Sequence, residues 1–267
     1  MQKIFAFMKK EFLTETSYKF AFLLHIFGIF AWILTFYFID RLFGSKITPY
    51  LKPYGVSYFS YVLIGIAFFT YVGEGVGSIT TRIRSEQLMG TLEPLLATPT
   101  KLSTIVSSMA IWSFLWASIS VLIYLILGVV LFGIDLTRTN LLSAFVILLL
   151  TVTSFSGLGL LAGSFIMVLK RGQPVTWVVN TLFELFGGVY FPIAVLPDWL
   201  RPLSHLLPVT YSIRAMQLAV YKGYSLRLLT LDIIALVIFS IILLPLGLLS
   251  FKWAVKQAKT NGSLSHY

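Results

Sequence analysis

The stretch SEQLMGTLEPLLATP, residues 85–99, lies between two long apolar segments. Gly90 interrupts the chain, and Thr91 is placed to cap a new helix. Glu93 falls in the first turn beside the positive helix end, and Pro94 sits where a missing N–H costs little. Leu92, Leu95 and Leu96 give this turn and a half an apolar face, and Thr98-Pro99 stops it. A short, stiff helix in a loop between apolar spans is a handle for a soluble partner to push.

The rest of the chain supplies the membrane. Of its 267 residues, 58% are hydrophobic and 11% charged, and the mean hydropathy is +0.90. An ordinary soluble domain carries about 25% charged residues, so the composition points to one polytopic bundle. The net charge of +10 comes from lysines and arginines scattered over loops, not from a basic stripe interleaved with stacking aromatics. Nucleic acid is therefore not an expected partner, whereas membrane lipids are. The chain has no cysteine, which removes disulfides and thiolate metal sites.

These features predict an all-α membrane protein with six transmembrane helices at 20–39, 58–79, 105–132, 141–169, 175–191 and 233–251. The third and fourth are long enough to tilt or project, and the fifth is short and runs into a proline-rich region. Residues 1–19 read as an amphipathic helix lying on the membrane surface. Ile4, Phe5, Met8 and Phe12 share one face, and Lys3 and Lys10 lie opposite. No small-residue cleavage site suggests a signal peptide. With both termini inside, the inner segments hold twelve of the 20 lysines and arginines, which places the termini and residues 85–99 in the cytoplasm.

The loop from Pro192 to Thr230 contains a second helix signal. Trp199, Leu200, Leu203, Leu206 and Leu207 form an apolar stripe that Asp198 can cap and that Pro197 and Pro208 bracket. Too short to span, it reads as a re-entrant or interfacial outer segment.

Catalytic motifs are missing. No Gly-rich loop ends in Gly-Lys-Ser/Thr, His25, His205 and His266 are far apart, and neither a metalloprotease pair nor a nucleophile elbow occurs. Two carboxylates fall inside apolar spans, where charge is costly. Glu74 sits among Gly73, Gly75 and Gly77, and reads either as a partner for Arg82 or Arg84 or as a lining residue. Those glycines equally suit close helix approach. Glu184 precedes Gly187-Gly188 and either lines a pathway or ties helices together. His25 reads as a hydrogen-bonded helix residue.

Two motifs carry a family resemblance. Glu86, Gly90-Thr91-Leu92-Glu93 and Leu95-Leu96-Ala97-Thr98-Pro99 resemble the cytoplasmic coupling-helix segment of ABC-2-type (type V) ABC exporter permeases. Tyr190-Phe191-Pro192-Ile193, Leu196-Pro197, Trp199-Leu200 and Leu207-Pro208-Val209-Thr210-Tyr211 are similar to that family's outer re-entrant segment. The resemblance covers nearly the whole chain and makes 1–267 one transmembrane domain, with an interface helix (1–19), a coupling-helix loop (85–99) and an outer segment (192–211).

It implies a permease subunit in a bacterial plasma membrane that binds no cofactor itself. A separate ABC ATPase subunit would bind ATP and Mg, and a second permease subunit would complete a homodimer or heterodimer. Coupling to the ATPase would run through Arg84, Glu86, Gly90, Thr91, Leu92, Glu93, Leu95 and Leu96. Glu184, Tyr190, Phe191, Pro192 and Trp199 would form the outer gate or pathway. The short first outer loop leaves the compact branch, which exports lipid-linked glycans, drugs or other amphipaths. A gradient-driven carrier using Glu74 and Glu184 is the rival transport reading, though no inverted repeat is visible. A non-transporting scaffold is the other alternative.

Overall fold

The computed structural model describes residues 2–17, 19–98, 100, 102–169 and 173–260. The described segments with regular structure are all helical: α1 (Gln2–Ser17), α2 (Lys19–Ile47), α3 (Tyr58–Leu88), α4 (Leu92–Ala97), α5 (Leu102–Phe132), α6 (Leu141–Leu169), α7 (Gln173–Phe186), α8 (Arg201–His205), α9 (Pro208–Tyr221) and α10 (Thr230–Thr260). Lys101, Lys170, Arg171, Pro99 and His266 lie outside the described residues, as do the side chains of Lys3, Ile4, Leu92 and Leu96.

Five helices, α2, α3, α5, α6 and α10, are long and apolar enough to cross a membrane, with candidate spans of 28 to 33 residues. All five therefore exceed the ~20 residues a bilayer core needs, so excess length does not single out the third and fourth. The expected span at 175–191 is instead α7, a helix of 14 residues. At 1.5 Å per residue it reaches only about 21 Å, short of a ~30 Å hydrocarbon core. The chain turns at Gly187-Gly188, where Gly188 takes a φ of +79°, and Pro192 follows. That backbone cannot continue a helix.

Helix α3 is the pillar. Of its most apolar window, 72% is buried inside protein, against 11–39% for the other four candidate spans. Glycines bring its neighbours close. A Cβ added at Gly159 of α6 would strike the carbonyl oxygen of Gly75, and one added at Gly157 would strike the α10 backbone at Leu243. Of the expected glycine triplet, only Gly75 serves helix approach; a Cβ at Gly73 or Gly77 meets nothing within 4 Å. Where membrane helices cannot gain from expelling water, such backbone contact supplies the packing.

Hydroxyls add cross-links: Tyr71 donates to Ser118 at 2.9 Å, Thr151 and Ser212 lie 2.8 Å apart, and Ser154 and Ser240 2.7 Å apart. His25 bonds Ser120 at 2.9 Å, as its placement in an apolar helix requires.

The outer segment departs most from expectation. Residues 197–200 form turns, not a helical start, and the leucine stripe collapses to the five-residue α8. Asp198 does not cap it; the carboxylate pairs with Arg201 at 2.7 Å, and the N-cap is Leu200. Pro208 does not close a helix but opens one, at the first turn of α9. This 14-residue helix is buried along most of its length, although its sequence reads as loop.

Replacing Gly159 with Leu forces α3 and α6 apart and costs about 2 kcal/mol or more. The monodisperse fraction surviving heating in detergent falls accordingly, whereas Gly73→Leu leaves it unchanged.

Candidate coupling junction and outer segment

Three helices meet where α3 ends. Its C-cap is Met89, Gly90 follows with a φ of +67°, and α4 begins two residues later. The positive φ is the left-handed conformation that closes a helix, and Gly takes it without a Cβ penalty. The Thr91 N–H returns to the Glu86 carbonyl at 2.9 Å. Thr91 occupies the N-cap of α4, yet its hydroxyl does not cap that helix; it donates to the Glu86 carboxylate instead.

Glu86 also receives the Lys10 ammonium of α1 at 3.2 Å. One turn earlier on α3, Arg82 reaches Glu11 of α1 at 2.6 Å, and its Nε donates to Ser113 of α5 at 3.4 Å. Glu86 therefore joins α1, α3 and the entrance of α4 through one side chain. Exposed pairs contribute little, but here only the Lys10 end is open: the Glu86 side chain is 17% exposed, and Arg82 and Glu11 are 20% and 22% exposed.

Among the expected coupling residues, Glu86, Gly90 and Thr91 come together directly. Glu93 is exposed on α4, Leu95 is half-buried, and Arg84 is half-buried on the last turns of α3. Leu88 and Met89 stand out from the same corner, at 64% and 73% exposure. Sequence reading missed Lys10 and Glu11 as partners here; it offered Arg82 or Arg84 as a partner for Glu74, and Arg82 pairs with Glu11. The available signal was Arg82 and Glu86 spaced i, i+4 opposite a Lys-Glu doublet.

At the other end of α3, the Tyr61 hydroxyl donates to the Gly188 carbonyl at 2.7 Å. The α9 residue Gln217 donates to the Tyr61 carbonyl at 3.2 Å. Tyr190 sits beside Glu184 and stacks on Phe36 of α2, with ring centroids 5.5 Å apart and planes 12° off parallel. Pro192 is buried and Phe191 half-buried. Glu184, Tyr190, Phe191 and Pro192 thus belong to one packed corner.

Trp199 does not join it, being 77% exposed. Arg201 holds the turn, donating to the Ala194 carbonyl at 2.8 Å and the Leu196 carbonyl at 3.0 Å. Beneath lies a cavity of about 370 Å³ lined by Tyr54, Tyr61, His205, Arg201, Arg214 and Gln217 among others. Burial pushes the Tyr54 phenol above its usual range, so it stays a hydrogen-bond donor. No cluster of three or more metal-ligating side chains exists among the described residues.

A helical bundle with five long apolar helices and a short helix hung from the central one is the architecture of a polytopic membrane protein. The ABC-2 type transporter family model matches residues 2–221. The chain belongs to that family, one of membrane transport permeases, not of catalytic enzymes. It is 26% identical over 185 residues to the inner membrane transport permease YadH of Escherichia coli K12, covering 67% of this chain and 69% of that protein. The protein of the same name from Shigella flexneri matches to the same extent.

Glu86→Ala releases Lys10 and Thr91 together. Amide exchange in α1 and at residues 88–93 then speeds up roughly fivefold, as about 1 kcal/mol of lost local stability requires, while exchange in the α6–α10 core stays at the wild-type rate.

Proposed function

We propose that this chain is the membrane subunit of an ATP-driven exporter of amphipathic molecules. It works in a bacterial plasma membrane with both termini in the cytoplasm, as the excess of lysine and arginine argues, and the sixth crossing this requires is made by α7 together with the turn that carries Gly188 to Tyr61. A separate ABC ATPase subunit binds ATP and Mg and docks on α4, and a second permease subunit completes the pathway. The N-terminal helix α1 lies at the cytoplasmic interface, and the segment from Gly187 to α9 forms the outer gate.

The observation that carries this reading is the Glu86 junction. A push on α4 reaches a carboxylate held at once by Lys10 of α1 and Thr91 at the α4 entrance. The load therefore passes into α1 and α3 together rather than bending a loose loop. Leu88, Met89 and Glu93 offer the docking corner, two exposed apolar side chains beside an acid. Buried apolar anchors with a charged rim are the usual composition of a docking contact.

The test is affinity purification of the tagged chain from native membranes. A nucleotide-hydrolysing ABC subunit co-purifies with the wild type. The double variant Met89→Glu, Glu93→Lys retains at least roughly tenfold less of it, as loss of one anchoring contact of ~1.4 kcal/mol predicts. Well-folded wild type that brings down no ATPase would transfer the weight to a scaffold or a gradient-driven carrier.

A further inference from the structure

A second feature at the α1 end of the bundle shares Arg82 and Glu11 with the coupling junction. Between α1, α3 and α5 lies a polar chamber of about 480 Å³, within the roughly 300–1,000 Å³ of small-ligand sites. Its walls include Glu11, Glu74, Arg82, Ser113, Trp112 and Trp116. Behind the same two tryptophans runs an apolar groove of about 510 Å³ bounded by Phe12, Lys19, Phe22, Leu23 and Ile119. Trp112 and Trp116 line both spaces, so a polar chamber and an apolar groove share one wall.

Trp112 is 8% exposed, yet its indole N–H has no acceptor among the described residues. A buried donor of this kind calls for an acceptor that the described residues do not supply. The glycines of α3 keep the chamber open. Gly73 and Gly77 face it, and a Cβ at either meets nothing within 4 Å.

We propose that this paired chamber and groove bind one zwitterionic phospholipid from the leaflet on the α1 side. Its phosphate sits beside Arg82, which Glu11 already holds, and draws out the enclosed Trp112 N–H; its ammonium faces Glu74 and Glu11, and an acyl chain lies along Phe22, Leu23 and Ile119. Guanidinium and carboxylates within one chamber match a head carrying both charges. A purely anionic head would meet two carboxylates, and a free head would leave the groove empty. Binding requires no ATPase, so this inference stands or falls apart from the transport mechanism.

The test is native mass spectrometry of the full chain, released from detergent supplemented with equal phosphatidylethanolamine and phosphatidylglycerol. The wild type retains one phosphatidylethanolamine at least fivefold over phosphatidylglycerol. Water-soluble glycerophosphoethanolamine at the same concentration does not displace it, which separates a lipid from a free head group. Gly77→Leu, which fills the chamber without touching the core, and Trp112→Phe, which keeps the ring and removes the donor, each cut retention at least fivefold. Their heat-survival curves remain those of the wild type. Equal retention of both lipids, displacement by the soluble head, or undiminished retention in the well-folded Gly77→Leu protein would overturn the assignment.

Discussion

The burial of α3 constrains everything around it. A 31-residue helix enclosed by protein for most of its apolar window can neither tilt freely nor slide without breaking backbone-to-backbone contacts at Gly75 and Gly159. Close-packed interiors move between discrete arrangements, not continuously. The two candidate sites hang from opposite ends of this helix. Tyr61, bonded to Gly188 and to Gln217, lies 25 residues before Glu86, about 38 Å along the axis at 1.5 Å per residue. A displacement applied at Glu86 thus has a stiff route to the backbone that turns at Gly187-Gly188.

The charges at the Glu86 end make that route two-stranded. Arg82–Glu11 and Lys10–Glu86 clamp α1 against α3 at successive turns, and Phe12 meets Trp112 of α5 edge to face at 6.4 Å. A push on α4 is therefore shared between the central pillar and the N-terminal helix. At the Tyr61 end, by contrast, the contacts that α2 and α3 make with the turn at 187–192 are neutral: a phenol on a carbonyl and stacked rings. Neutral contacts of this kind can separate without stranding a charge in a low-dielectric surround.

Much of this was legible in the sequence because it is local. The break at Gly90, the short helix after it and the long apolar spans all follow from residues within a few positions of each other. What escaped was long-range. Helix α9 reads as loop because it carries Thr210, Ser212, Arg214 and Gln217, yet Thr210, Ser212 and Gln217 are fully buried. These three and Arg214 find partners outside α9: Ser204 for Thr210, Thr151 for Ser212, Asp232 for Arg214 and Tyr61 for Gln217. Similarly, Thr91 looked like a cap because its type and position fit one. Only the fold reveals that a carboxylate five residues earlier competes for its hydroxyl. The leucine stripe after Trp199 failed because helical spacing says nothing about whether a partner surface exists.

The most direct measurement is a double-mutant cycle on Lys10 and Glu86, with Lys10→Ala, Glu86→Ala and the pair, read as ATP hydrolysis by the purified complex of this chain with its ATPase. If the junction carries load from α4 into α1, the single losses overlap, and the cycle gives an interaction of about 0.5–3 kcal/mol. Losses that simply add, or single variants that hydrolyse ATP at the wild-type rate in an intact complex, would contradict the account.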